Sequence, residues 1–116
     1  MFKTPVWTLE LIRDTNAPFE RVREALLDGA RWGAWHPVYR SASPRVVNEA
    51  EGLVEIDAEE TAFPGVTERL HFQIRRQEDR VVLVYAGRFK GWAVPLLLGF
   101  WRFERRDLWE RFVRAL

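Results

Sequence analysis

LVEIDAEETAFPGVTERLHFQIR, residues 53–75, alternates apolar and polar side chains on both sides of Phe63-Pro64-Gly65, the pattern of a β-hairpin. A three-residue turn with Gly65 supplying the positive φ pairs Val54, Ile56 and Ala58 with Ile74, Phe72 and Leu70 on one face. The other face then pairs Glu59 with Arg69 and Asp57 with His71. An even-length loop would set the apolar row of one strand against the polar row of the other, so the odd loop is favoured. This register carries an anomaly. Glu60 and Glu68 face each other on the inward, apolar side, and two carboxylates there are the best local pointer to a site.

Outward from the hairpin, the order of elements can be read from periodicity. Residues 6–13, VWTLELIR, alternate so that Trp7, Leu9 and Leu11 share a face, as in a first strand. Asp14-Thr15-Asn16 offers N-cap side chains, Pro18 suits a first helical turn, and Phe19, Val22, Leu26 and Leu27 form an apolar stripe ending at Gly29. Ala30–His36 reads as a short second helical segment stopped by Pro37, with Trp32 and Trp35 on one face. Arg45–Asn48 is a candidate edge strand. Arg80–Phe89 is a β-branched run that reads as a further strand. Its pairing is expected to set Ile74 against Val81, Phe72 against Leu83, Leu70 against Tyr85 and Glu68 against Gly87; a slip of one would bring Arg88 beside Glu68. After Gly91 the period changes, and Trp101, Leu108, Trp109, Phe112, Val113 and Leu116 fit a helix, begun by Leu96, Leu97, Leu98 and Phe100 downstream of Pro95.

Composition bounds the rest. The 116 residues, 47% hydrophobic and 14% aromatic, suit one domain over 1–116 with one core. Eighteen basic against seventeen acidic residues give a formal charge of +1, which argues against a general nucleic-acid binder. Arg102, Arg105, Arg106, Arg111 and Arg114 read as a solvated helix face. With no cysteine, disulfides, thiolate metal sites and cysteine nucleophiles are excluded. No signal peptide is visible at the start, and the expected location is cytoplasmic. The apolar run from Gly91 to Trp101 is shorter than the roughly 20 residues of a spanning helix.

Three segments carry a resemblance to a known family. Asn16-Ala17-Pro18-Phe19-Glu20-Arg21-Val22 resembles the lead into the first helix, and Trp32-Gly33-Ala34-Trp35-His36-Pro37 the second helix, of the START, polyketide-cyclase and pollen-allergen-like superfamily. Gly87-Arg88-Phe89-Lys90-Gly91-Trp92 and the apolar helix after it resemble that superfamily's last strand and gripping helix. The resemblance implies an α+β helix-grip fold: a curved antiparallel sheet of about five strands packed on a long C-terminal helix, with two short helices after the first strand. The family usually has six or seven strands, so the chain resembles a shortened member, which bears on the size and closure of the family's ligand cavity.

The resemblance also implies a ligand class, an apolar or aromatic small molecule of lipid or polyketide kind held between sheet and helix. The large apolar residues of the inner rows, Phe72 and Leu83 among them, support this independently. Trp35 and Trp92 would flank the opening, with His36 between helix end and loop as a hydrogen-bond donor or as a partner of the helix's last carbonyls. Tyr85, inward among Leu and Phe, needs a partner for its hydroxyl. A second reading is a cyclase or dehydratase, with Glu60 or Glu68 as general acid or base and Tyr85 or His36 orienting a carbonyl oxygen. Desolvation and repulsion are the usual means of readying a carboxyl group for that work. Against it, the two carboxylates could meet water at the open end of the hairpin or pair with Arg88. A third reading is an interaction module with a collapsed cavity. His36 and His71 fall on different faces, so no metal site is expected, nor any cofactor. A symmetric homodimer is the expected means of covering the sheet edge and the apolar segment around Trp92.

Overall fold

The computed structural model describes residues 6–36, 39, 41–63 and 65–116, with the side chains of 62, 63 and 96–103 outside that description. Five strands, β1 (Val6–Thr15), β2 (Arg45–Ala50), β3 (Leu53–Phe63), β4 (Val66–Gln77) and β5 (Arg80–Lys90), form one antiparallel sheet in the order β1-β5-β4-β3-β2. The helix α1 (Phe19–Leu27) and a 3₁₀ segment (Gly29–Ala34) follow β1, and the helix α2 (Val94–Ala115) follows β5.

The β3–β4 hairpin has the register its alternation requires: Val54 pairs with Ile74, Ile56 with Phe72, Ala58 with Leu70, Glu59 with Arg69 and Glu60 with Glu68. Its turn differs in detail. Thr61 pairs with Thr67 but Phe63 with Val66, so a bulge around residue 62 supplies the odd count, and Gly65 takes φ 89°. Pro64, like Pro37, lies outside the described residues. The β4–β5 pairing is displaced by two residues from expectation: Ile74 pairs with Leu83, Phe72 with Tyr85, Leu70 with Gly87 and Glu68 with Phe89. A shift of two preserves which face each side chain occupies. The cause is the turn, a tip of Glu78 and Asp79 with Glu78 at φ 55°, closed by Gln77 opposite Arg80.

The helical segments also depart from their sequence signals. Pro18 occupies the N-cap of α1, and no side chain caps it. The polar residues ahead of it are engaged elsewhere: Thr15 Oγ1 accepts from the Ala17 N–H, while Arg80 donates to Asp14 and Asn16, tying the end of β1 to the start of β5. The segment after Gly29 is 3₁₀ rather than α. With three residues per turn, side chains three apart eclipse. Trp32 and Trp35 accordingly meet with ring centroids 5.1 Å apart, and Trp32 Nε1 donates to the Leu26 carbonyl at 3.0 Å. Candidate strand 45–48 is β2, an edge strand with a register shift at Val47.

Side chains from α1, the 3₁₀ segment, the inner rows of β3, β4 and β5, and α2 share one core. Phe72, Leu83, Leu108 and Phe112 are all buried in it. Trp109 lies against Phe112 (5.1 Å, nearly parallel), Phe72 (5.6 Å) and Tyr85 (5.4 Å, edge-on). A smaller cluster of Val66, Phe89, Ala93 and Val94 lies near the start of α2. The expected packing of Leu96, Leu97, Leu98, Phe100 and Trp101 lies outside the described side chains.

Candidate functional site: a buried charge cluster between sheet and helix

Glu68 is the second inward position of β4, and its side chain is fully buried. Burying a lone carboxylate costs several kcal/mol or more unless it is paired and hydrogen-bonded. Arg105 of α2, also fully buried, supplies the charge, with Nη2 2.9 Å and Nε 3.2 Å from Glu68 Oε1. Tyr39 donates its hydroxyl to the same oxygen at 2.7 Å, and Tyr85 donates to Oε2 at 2.5 Å. The third guanidinium nitrogen, Nη1, is bonded to Glu104. Both carboxylate oxygens and each guanidinium nitrogen are thus engaged.

Backbone geometry makes room for this cluster. A Cβ on Gly87 would sit 2.8 Å from Glu68 Oε2, so the carboxylate occupies space that another residue's side chain would take. The Arg105 guanidinium lies over Phe89 (5.3 Å) and Tyr39 (5.7 Å), where ring faces favour a cation. Its pairing joins the main core to the smaller cluster containing Phe89.

The neighbours titrate accordingly. Burial pushes the Tyr85 hydroxyl well above its usual range, and the adjacent Glu68 charge pushes it further. Tyr39 is raised by the same two causes. Burial alone would lower Arg105, but the Glu68 carboxylate outweighs it and the guanidinium is held still more firmly charged. His36 is lowered to about 3, first by burial and then by the Arg105 charge. Its Nδ1 accepts the Tyr39 backbone N–H at 3.2 Å, which places the proton of the neutral ring on Nε2.

Of the residues expected at a site, Glu68 and Tyr85 meet directly, and His36 joins them through Tyr39, whose ring lies 4.3 Å from its own. Phe72 stacks edge-on against Tyr85 at 5.0 Å, with Leu83 in the same core. Trp35 is buried against Phe112 at 4.7 Å. Glu60 is half-buried and takes no part in the cluster's hydrogen bonds. Trp92 is elsewhere. It is 68% exposed and lies against Gly65 at the hairpin tip, because Gly91, at φ 153°, turns the chain where its backbone meets that of Gly65. Arg88, the alternative partner of Glu68, belongs to the outward row opposite Arg69. His71 is on that outward face, bonded to Asp57.

Arg105 and Tyr39 are the site residues that sequence reading missed, Arg105 having been assigned to a solvated face. The signal for Arg105 was present: it lies four residues after Trp101 and three before Leu108, inside the apolar stripe. Among the described residues no group of His, Cys, Asp and Glu could hold a metal ion, and no helix is long and apolar enough to cross a membrane.

No family model and no curated protein matches the chain. Solved structures do. A Rhizobium loti protein, Mll3558, aligns with a TM-score of 0.71 at 12% identity, covering 99% of this chain and 100% of that one. A START superfamily protein from Mycobacterium smegmatis aligns with a TM-score of 0.58 at 14% identity over 93% of this chain and 97% of its own. A point mutant of norcoclaurine synthase from Thalictrum, solved with a transition-state analogue, aligns at 0.51 and 7% identity over 99% of each chain. At these identities the likeness is one of fold: the chain has the helix-grip arrangement, a curved antiparallel sheet packed on a C-terminal helix.

Proposed function

We propose that the chain binds a small molecule with an apolar or aromatic body and a polar group, between the sheet and α2. The observation that carries this reading is an indole without an acceptor beside a fixed set of polar groups. Trp109 is fully buried, its Nε1–H has no hydrogen-bond partner among the described residues, and its ring touches that of Tyr85, which is bonded to Glu68. A buried donor left unpaired costs about 1–3 kcal/mol, which a ligand acceptor would relieve. Around it the surfaces are aromatic, matching a ligand with a flat or apolar body. The rings of Trp35, Phe72, Trp109 and Phe112 are in mutual contact, so binding there requires them to part.

The arrangement suits binding better than proton transfer. Glu68, the inward carboxylate of the cyclase or dehydratase reading, accepts hydrogen bonds at both oxygens, and Glu60 is outside the cluster. Native mass spectrometry of gently purified protein, followed by solvent extraction, tests the proposal. An apolar compound in stoichiometric amount is expected from the parent and much less from Trp109→Phe or Tyr85→Phe. No compound from the parent, or equal amounts from all three folded proteins, would overturn it in favour of an interaction module with a closed interior. A symmetric homodimer that covers the exposed Trp92 belongs to the same reading, and sedimentation at micromolar concentration tests it; a monomer refutes it.

A further inference from the structure

We infer that the outward face of β4 and β5 holds a binding site for a phosphomonoester, formed by Arg69, Arg88, Lys90 and Thr67. This face is the reverse of the one that carries the buried cluster, and the inference is independent of the ligand proposed there. The strand register assembles it: Arg69 pairs directly with Arg88, and Thr67 with Lys90, so the four side chains stand at the corners of one patch. Like charges directly opposite each other across two strands are destabilising unless an anion lies between them. Arg88 and Lys90 make no ion pair among the described residues. Among the described residues Arg69 pairs with Glu59, at 3.3 Å, and with side-chain exposures of 67% and 59% that pair is weak and readily exchanged.

The patch is concave. Glu59, Gly65, Thr67, Arg69, Arg88, Lys90 and Gly91 line a hollow of about 490 Å³. One wall is bare backbone: a Cβ at Gly91 would meet the Gly65 carbonyl oxygen at 1.7 Å, so the two segments close on each other with no side chain between. Two planar guanidinium forks, an ammonium and a hydroxyl match the charge and acceptor oxygens of a phosphoryl dianion. The hollow exceeds a phosphate in volume and leaves room for the body of the ester. The cations form a single compact group rather than a track, which favours one phosphoryl group over a nucleic-acid backbone. The phosphoryl group could belong to a soluble ester or to a lipid headgroup, and the two are separable by experiment.

Phenyl phosphate is titrated into the full chain by calorimetry, and in parallel the chain is sedimented with phosphatidylcholine vesicles made with and without phosphatidic acid. Saturable binding is expected, weakened at least about tenfold in the double variant R88Q/K90Q, which removes two charged donors. Binding of phenyl phosphate identifies a soluble ester, and binding only to vesicles with phosphatidic acid identifies a headgroup; either supports the site. The ligand-free variant should unfold at the same or a higher temperature than the parent, because a repulsion has been removed. No saturable binding to either probe, equal binding by parent and variant, or a less stable variant would overturn the inference.

Discussion

Glu68 and Arg69 are consecutive residues of β4, and each is half of an ion pair, yet the strand turns them to opposite faces and so into opposite media. The inward pair, Glu68 with Arg105, has both side chains fully buried, and two tyrosine hydroxyls complete it. The outward pair, Arg69 with Glu59, has both side chains more than half exposed and, among the described residues, no further hydrogen bond. Similar distances therefore carry different energies. Inside, the charges have lost their water and each depends on the other; outside, water and salt can replace either partner.

Removing one inward charge gives the largest effect. Arg105→Met leaves a buried carboxylate with no counter-charge and should cost about 3–5 kcal/mol in chemical denaturation. Replacing both, as Glu68→Met with Arg105→Met, should recover most of that loss. A single-variant cost below about 1 kcal/mol would show that water reaches the pair and would erase the contrast.

The tyrosines sharpen it. Tyr85→Phe leaves Glu68 Oε2 without its donor in a dry site and should cost about 1–3 kcal/mol by the same measurement. No cost would mean that the oxygen finds another donor.

A comparable loss should come from pH. His36 is held neutral down to about 3 in the folded chain, against 6.5 when unfolded. Below pH 6.5 the unfolded chain binds more protons at this position, so stability is present above that pH and falls as pH is lowered toward 3. By pH 5 the loss from this group is about 2 kcal/mol. Unfolding followed between pH 7 and 5 should show that slope in the parent and a flatter one in His36→Asn. Equal slopes would place the titration elsewhere.

The smallest effect belongs outside. Glu59→Gln should change stability by about 0–1 kcal/mol, and less in high salt. A loss as large as that of Arg105→Met would mean that exposure does not separate the two pairs.

The legible parts of this molecule are those fixed by parity. Between β3 and β4 parity excludes the even connections and the Phe63-Pro64-Gly65 signal in the sequence locates the turn, so the observed pairs follow from the two together. For β4 and β5 the same reasoning gives the correct faces but cannot distinguish registers two residues apart, and the tight Glu78-Asp79 tip selected the other one. Tyr85 was readable as an inward hydroxyl in need of a partner. Its partner's partner was not: Arg105 is one of several arginines in α2, and only its place in the apolar stripe distinguishes it. Tyr39 lies between the 3₁₀ segment and β2, where no periodicity fixes a direction, and tertiary contacts alone bring it to Glu68. Trp92 was expected at the cavity opening from the resemblance alone, and the sharp turn at Gly91 sets it instead against Gly65 at the hairpin tip.

The strand order has a consequence in time. Among the described residues Val6–Thr15 pairs with Arg80–Lys90 alone, at the far end of a meander that runs β2 to β5. On a ribosome, the first strand emerges with Trp7, Leu9 and Leu11 ready for a sheet and waits until nearly the whole domain has followed. Its ladder must close a long loop, whose entropy cost grows only slowly with length but precedes any gain from pairing. During that interval the opening segment is an unpaired apolar strand, and its hazard is capture by another chain before its own fifth strand arrives.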